Sequence, residues 1–143
     1  MILIHPPFQV GLGTDIAGGY SPSMLVAARM AVANSHALKA ASLSAGGASR
    51  SVAAAAADHV LDWKDALYLA TEGGARALGL GGRAGALAPG RGFDALLVDA
   101  GCGAAFDAFE GDGAAQLLEK FVHLGDDRHI MEVYVQGARA WPR

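Results

Sequence analysis

The sequence has one cysteine, no long apolar run and no excess of positive charge, and each of these shortages excludes a class of protein. The lone Cys102 cannot form an internal disulfide, so we expect a reducing, cytoplasmic location rather than a disulfide-stapled secreted protein. No stretch approaches the roughly 18 consecutive apolar residues that a membrane-spanning helix needs. The formal net charge of −3 argues against a basic surface of the kind that binds the phosphate backbone of a nucleic acid. We therefore expect neither a membrane nor a nucleic acid as partner.

Large apolar side chains are also scarce. The 143 residues include 31 alanines and 20 glycines, which together supply little side-chain area for a core. Glycine also loses more backbone entropy on folding than any other residue. The length suits about one ordinary domain, but the composition predicts that its hydrophobic core is thin.

The first half of the chain has the pattern of a strand, a turn and a helix. Gln9–Ile16 is a short apolar segment of strand length, and the glycines that follow it indicate a tight corner. Ser21 and Pro22 are typical N-cap and first-turn residues, and they predict a helix from Pro22 to Leu38. Residues 39–57 consist almost entirely of Ala, Ser and Gly, so we expect a mobile insert there.

The second half mixes helices with strands. Asp62 and Asp65 approximate a capping box, which predicts the start of a second helix. An alternating tail with Gln136-Gly137 at its turn is typical of a β-hairpin. The predicted elements are a helix over Trp63–Leu78, a strand over Phe93–Val98, a helix over Ala114–Leu124 and hairpin strands over 131–135 and 139–141.

Asp15 is the candidate functional residue, because it follows the first apolar segment and precedes the glycines. The carboxyl ends of strands carry the chemistry of α/β proteins, and a carboxylate there can bind a metal or carry a proton. The alternative is that Asp15 caps a turn, as short polar residues after strands often do. Spacing alone leaves both interpretations open.

Three ordered parts of the sequence resemble a known family. Gly11–Leu25, which contains Gly-Thr-Asp and Gly-Gly-Tyr-Ser, is similar to the last barrel strand and the following loop of guanine deaminases, in the amidohydrolase superfamily. Ala70–Leu80 and Gly85–Val98 resemble the superfamily's passage from the barrel to a small β-sandwich. Leu124–Gly137 resembles the closing segment of guanine deaminases. Together these parts cover most of the chain outside the alanine-rich insert.

The resemblance implies a zinc enzyme of purine catabolism that hydrolyses guanine to xanthine and ammonia. In that enzyme Asp15 would be both the catalytic carboxylate and a metal ligand. Zinc lowers the pKa of a bound water to about 7, and an adjacent carboxylate can accept the water's proton and deliver it to the departing amine. The complete enzyme would take guanine, a small purine, as its substrate and would form a homodimer.

The resemblance also implies ligands that this chain lacks. Relatives carry a His-x-His pair, two further histidines and a glutamate on strands that precede the equivalent of Asp15. The five histidines here, His5, His36, His59, His123 and His129, show no such spacing and are interpreted as surface or packing residues. Because a zinc site needs about four ligands, we expect the chain by itself to hold no Zn²⁺ and to be inactive.

The expected fold class also follows from the resemblance. The chain would be α/β, with the last strand and helices of a TIM-type (β/α) barrel in residues 1–80 and the C-terminal strands and helix of a composite β-sandwich in residues 81–143. It would thus be the carboxyl-terminal part of a guanine deaminase. Two other functions stay open: an amidohydrolase that acts on a pterin, triazine or cytosine ring, and an inactive fragment that acts only by association with a full-length subunit.

Overall fold

The computed structural model describes residues 9–44, 60–103 and 105–142, together with the backbone of residues 2–5. Within these residues the chain forms five strands, four α-helices and a short 3-10 helix. The strands are β1 (Ile2–His5), β2 (Gln9–Leu12), β3 (Ala95–Val98), β4 (Ile130–Val135) and β5 (Ala138–Trp141). The helices are α1 (Met24–Ser44), α2 (Trp63–Ala70), α3 (Glu72–Ala77) and α4 (Ala114–Leu124), with the 3-10 helix over Asp127–His129.

The fold is mixed α/β, and both sheets formed by the described strands are antiparallel. Strand β2 pairs with β1, with Ile2 opposite Leu12. The strand predicted over Gln9–Ile16 therefore ends at Leu12, four residues early. Leu12 pairs with Ile2 at the start of β1, and beyond this pair the chain leaves the sheet and turns at Asp15, whose φ of 51° lies in the left-handed region. In the part of the chain that is described, no helix is both long and apolar enough to cross a bilayer.

Helix α1 begins at a different cap from the one that the sequence predicted. The hydroxyl of Ser23 accepts a hydrogen bond from the backbone N–H of Val26 at 3.4 Å, as an N-cap side chain does. The hydroxyl of Ser21 instead accepts from the N–H of Ser23 at 3.2 Å, within the preceding loop. The prediction of Ser21 as the N-cap is therefore wrong by two residues.

The end of α1 also differs from the prediction. The helix continues to Ser44 rather than ending at Leu38. Residues 39–44 of the expected insert are thus helical, because alanine and lysine are good helix formers and extend a helix that has already been nucleated. The remainder of the expected insert, residues 45–57, lies outside the described residues.

The single helix predicted over Trp63–Leu78 is divided into α2 and α3. The capping box at its start is confirmed: Asp62 accepts from the N–H of Asp65 at 2.9 Å, and the Asp65 carboxylate accepts from the N–H of Asp62 at 3.1 Å. The division falls at Thr71, whose hydroxyl donates to the carbonyl of Leu67 at 2.7 Å. Beyond it, α3 packs directly on β2.

The last three described strands form a three-stranded sheet in the order β3-β4-β5. The predicted hairpin is confirmed, with Gln136 at φ 50° and Gly137 at φ 81°, the positive values that a two-residue primed turn requires. Asp94 accepts the N–H of Gln136 at 2.7 Å, and Gly137 donates to the carbonyl of Phe93 at 2.9 Å. Asp94 therefore holds the turn to the neighbouring chain segment, which is a structural role.

The core is as thin as the composition predicts. Three of the buried apolar residues are alanines, and few large side chains join them. The buried apolar residues of the described part are Ala28, Ala66, Ala75, Phe106, Phe121 and Val122. Those on helices lie where α1, α2 and α4 meet and where α3 packs on β2, and Phe106 stacks on His129. Many larger apolar side chains stay exposed instead, a feature that soluble monomers rarely show in contiguous patches.

Candidate functional site

Asp15 lies three residues beyond the carboxyl end of β2, in the loop that leads to α1. Its side chain is exposed. The φ of 51° places its backbone in the left-handed region, which aspartate adopts more readily than most residues but still at a cost. Backbone outliers of this kind cluster at functional sites. The geometry therefore agrees with a functional residue as well as with a turn.

The two glycines Gly18 and Gly19 keep the loop tight. The N–H of Gly19 donates to the carbonyl of Asp15, and a Cβ at Gly19 would overlap the carbonyl oxygen of Thr14. A Cβ at Gly18 would lie 3.2 Å from Oδ2 of Asp15. The carboxylate thus lies over the backbone at Gly18, where a larger residue would displace it.

A cavity of about 650 Å³ opens beside this loop. Asp15 lies on its rim with Thr14, Tyr20 and Ser21, and Asn34 contributes an amide from α1. The remaining wall is mainly apolar and comes from β2, α1 and the region of α2. A concave, mainly apolar site with a few polar groups is the usual form of a small-molecule site.

The histidines do not assemble near Asp15 in the described structure. His36 and His123 are exposed, on α1 and α4, whereas His129 is fully buried. The side chain of His5 and all of His59 lie outside the described residues. The interpretation of His36, His123 and His129 as surface or packing residues agrees with these positions.

His129 packs as an aromatic residue. Its ring stacks on Phe106 with centroids 4.7 Å apart and an interplanar angle of 1°, and its edge meets Phe121. Nδ1 lies 3.2 Å from the backbone nitrogen of Asp126 and 3.3 Å from Oδ1 of the same residue. Nε2 has no hydrogen-bond partner among the described residues, so its burial costs free energy that the stacking offsets.

The acidic turn before β4 is also structural. Asp126 caps the 3-10 helix by accepting the N–H of Arg128 at 3.1 Å, and its carboxylate pairs with the Arg128 guanidinium at 2.6 Å. Hydrogen bonds from Arg128 hold the pKa of Asp126 well below its ordinary value of 3.8. This charged turn, which leads into β4, is a 3-10 helix over Asp127–His129 with Asp126 as its N-cap.

Arg29 is an important residue that the sequence analysis missed. From α1, its Nε donates to the carbonyl of Val122 at 2.7 Å, and its Nη2 donates to Phe121 and Gly125. Phe121 and Val122 lie in the last turn of α4, and Gly125 is its C-cap. Phe121 also accepts the N–H of Gly125 at 2.8 Å, so the guanidinium adds to the backbone hydrogen bonding at this helix end. Burial lowers the pKa of Arg29, and the Asp126 charge partly offsets this shift. The sequence did contain a signal for this role of Arg29, because it is a lone arginine within an apolar helix.

The described residues do not fit a zinc ion by themselves. No three His, Cys, Asp or Glu side chains among them lie close enough together to hold a metal. Asp15 can supply one ligand, whereas a zinc site needs about four. Any zinc at this site would therefore depend on ligands from outside the described residues.

The comparison with protein families decides the classification. The model of the amidohydrolase family matches residues 3–139, which is nearly the whole chain. The chain belongs to the amidohydrolase family. This membership agrees with the resemblance seen in the sequence at Gly11–Leu25 and in the two later parts.

Curated relatives of this chain are guanine deaminases. The human guanine deaminase is 40% identical over 139 residues, and the alignment covers 94% of this chain but only 28% of the relative. The probable guanine deaminase of Schizosaccharomyces pombe is 38% identical over 137 residues and is covered to 24%. The chain thus spans about a quarter of the length of the curated relatives that it matches.

Solved structures give the same result. A guanine deaminase from C. acetobutylicum with guanine bound in its active site superposes with a TM-score of 0.69 at 30% identity. This superposition covers 93% of the present chain and 27% of that structure. The E. coli guanine deaminase superposes with a TM-score of 0.68 at 26% identity and is covered to 28%. The mixed α/β arrangement is therefore shared with part of a larger enzyme.

Proposed function

We propose that this chain forms part of a guanine deaminase, which hydrolyses guanine to xanthine and ammonia, and that Asp15 is its contribution to the active site. The observation that carries the proposal is the position of Asp15 beyond the end of β2, on the rim of the cavity and in the left-handed conformation. Its sequence context, Gly-Thr-Asp followed by Gly-Gly-Tyr-Ser, supports the same assignment.

In this proposal Asp15 is both a metal ligand and the proton carrier of the reaction. Replacing the exocyclic amine of guanine by oxygen consumes one water and releases one ammonia. A carboxylate beside the reacting carbon accepts a proton from the water and returns it to the leaving nitrogen. The loop suits this role because a side chain at Gly18 would crowd the Asp15 carboxylate, with its Cβ 3.2 Å from Oδ2.

The proposal includes the expected arrangement of the complete enzyme. Residues 1–80 contribute the last strand and the outer helices of a TIM-type barrel, with residues 39–57 as an alanine-rich insertion, and residues 81–143 contribute to a small β-sandwich. The complete enzyme holds Zn²⁺ with ligands that the described residues do not supply. It acts as a cytoplasmic homodimer. The bound guanine in the C. acetobutylicum structure supports the choice of substrate.

A chimeric enzyme tests the proposal directly. This chain replaces the matching segment of the human guanine deaminase, and xanthine formation is followed by ultraviolet absorbance. We expect the chimera to deaminate guanine and Asp15→Asn to lower kcat by about 10²- to 10⁴-fold, the usual contribution of a general acid–base group. The matched control is His36→Ala on the exposed face of α1, which should leave kcat within about twofold.

The same chimera separates the proposed substrate from other aminated rings. Guanine is assayed beside a pterin, a triazine and cytosine at equal concentrations. A higher kcat/KM for any of the other three rings would contradict the assignment of guanine. A chimera that retains full activity with Asp15→Asn would contradict the assigned role of this residue.

A further inference from the structure

A second cavity lies on the segment that joins α3 to β3, apart from the cavity beside Asp15. Its volume is about 630 Å³, and the two cavities share no described lining residue. We call it the arginine cavity, and its larger lining residues are Leu80, Arg83, Arg91, Phe93, Asp94 and Gln136. Charged and apolar residues therefore border the same space, and the proposed deamination uses none of them.

Backbone hydrogen bonds hold the two arginines of this cavity close together. The carbonyl of Arg83 accepts the N–H of Gly92 at 2.8 Å. The N–H of Arg91 donates to the carbonyl of Ala88 at 3.1 Å and closes a turn. Gly90 lies within this turn at φ 82°, a value that glycine adopts without steric cost. The turn thus brings Arg91 beside Arg83 across a fixed backbone contact, so both residues line one space.

The charges of the arginine cavity are not balanced within the described residues. The side chain of Arg83 has no hydrogen bond or ion pair among them. Nη1 of Arg91 lies 3.4 Å from Oε1 of Glu72, a carboxylate that is shared with a second arginine on α3 at 2.9 Å. Asp94 is the one carboxylate of the lining, and it already accepts a backbone N–H from the hairpin turn. A guanidinium carries five N–H donors, so both lining arginines keep donors for a ligand.

The arginine cavity also has an apolar wall. Phe93 is 49% exposed and Leu80 is 39% exposed, so both leave apolar surface at the cavity. Tyr134 packs against Phe93, with ring centroids 5.5 Å apart and an interplanar angle of 66°, and holds this ring in place. Flat rings of ligands stack on exposed aromatic side chains. The wall therefore suits a ligand that has a ring beside its charged group.

Two guanidinium groups favour a phosphate over a carboxylate. Guanidinium binds either anion through paired N–H donors. A carboxylate has a single charge and two oxygens, which one arginine can satisfy. A phosphate monoester has a charge of about −1.5 to −2 and three acceptor oxygens. Because Arg83 and Arg91 both have donors to spare, a phosphate monoester matches the cavity better.

We infer that the arginine cavity binds a small phosphate monoester that carries a flat ring. Its phosphate lies between Arg83 and Arg91, and its ring packs on Phe93 and Leu80. The site is separate from Asp15 and does not depend on the proposed deamination.

Isothermal titration calorimetry of the full 143-residue chain tests this site. The ligand is phenyl phosphate, and the comparisons are benzoate, which has the ring and a carboxylate, and phenol, which has the ring alone. We expect one phenyl phosphate per chain, bound about tenfold or more tightly than either comparison, because hydrogen bonds between charged groups are the strong ones.

A pair of charge-removing variants locates the phosphate. Arg83→Ala should weaken binding of phenyl phosphate by about tenfold or more, because it removes one fork of N–H donors. Lys64→Ala is the matched control, since it removes the same charge from an exposed residue that does not line the cavity. This control should leave the affinity within about twofold, because salt screens charges that do not touch the ligand.

A third variant locates the ring. Phe93→Leu should weaken binding of phenyl phosphate by about two- to tenfold, because it removes the aromatic surface on which the ring stacks. It should leave the affinity for inorganic phosphate unchanged, since that ligand has no ring. An equal loss for both ligands would contradict the position assigned to the ring.

The titration of the parent chain decides the inference even where a variant does not fold, which far-ultraviolet circular dichroism detects. Selective weakening by Arg83→Ala supports the site. Absence of phenyl phosphate binding, equal affinities for phenyl phosphate and benzoate, or equal effects of Arg83→Ala and Lys64→Ala would overturn it. None of these measurements involves xanthine formation, so failure of this site and failure of the proposed function are distinguishable.

Discussion

At the scale of the single residue, Gly11 determines how closely β2 approaches α3. A Cβ at Gly11 would lie 2.7 Å from the Cα of Gly74, closer than side-chain carbons come to backbone atoms. Gly73 is also tight, because a Cβ there would lie 3.0 Å from the carbonyl oxygen of Val10. The close contact of β2 and α3 positions the loop that carries Asp15, so packing at Gly11 affects the proposed site.

We predict that Gly11→Ala lowers the free energy of unfolding by about 1–3 kcal/mol, because backbone rather than a flexible side chain must move. Urea denaturation followed by circular dichroism measures this change. Gly101→Ala is the control, since its Cβ would meet only the Asp99 carboxylate, at 3.4 Å. Equal stabilities of the two variants would show that the contact with Gly74 relaxes without cost.

At the scale of the element, α1 and α4 are joined by Arg29. Helix α4 ends at Leu124, and its last carbonyls accept hydrogen bonds from the guanidinium instead of from solvent. Positive charge at a helix C-terminus is also favourable because of the helix dipole. Arg29 thus links the first half of the chain to the second, because it joins α4 to α1, the helix that also lines the cavity beside Asp15.

Removing the Arg29 side chain should destabilise the folded chain. We predict that Arg29→Ala lowers the free energy of unfolding by about 1.5–3 kcal/mol, the range for hydrogen bonds to a charged group. Arg76→Ala is the control, because Arg76 makes an exposed i, i+4 pair with Glu72 at 2.9 Å, a kind worth about 0.3–0.5 kcal/mol. A similar small loss for both variants, measured by thermal or urea unfolding, would contradict the role of Arg29.

At the scale of the whole molecule, the proposed site is incomplete within the described residues. Asp15 supplies one carboxylate, and the described histidines lie apart from it, two exposed and one stacked on Phe106. The thin core leaves large apolar side chains exposed along α1. Both features agree with a chain that aligns with about 28% of the human guanine deaminase.

We predict that the purified 143-residue chain binds no stoichiometric zinc and forms no xanthine from guanine, because one carboxylate cannot replace a set of about four ligands. Mass-spectrometric metal analysis after dialysis against zinc and an ultraviolet assay for xanthine give the two measurements. The chimeric human enzyme is the positive control for both. Stoichiometric zinc with turnover in the chain alone would contradict this prediction.

Part of the fold was predictable because its determinants are neighbours in sequence. The capping box of Asp62 and Asp65, the bounds of Ala114–Leu124 and the turn at Gln136-Gly137 each depend on contacts over a few residues. The position of Asp15 after a strand was predictable for the same reason. The likeness to guanine deaminases was also evident from ordered sequence motifs, and the family match confirms it.

Other features depended on distant parts of the chain. The division of the second helix at Thr71 accompanies the packing of glycine backbone on β2, and the burial of His129 depends on Phe106 and Phe121. The sequence by itself determined the family, the capping box at Asp62 and the turn at Gln136-Gly137, because ordered motifs and hydrogen bonds between near neighbours encode them. Only the tertiary structure decided where β2 ends, what Arg29 binds and which face of α1 lines the cavity beside Asp15, because these follow from packing between segments far apart in sequence.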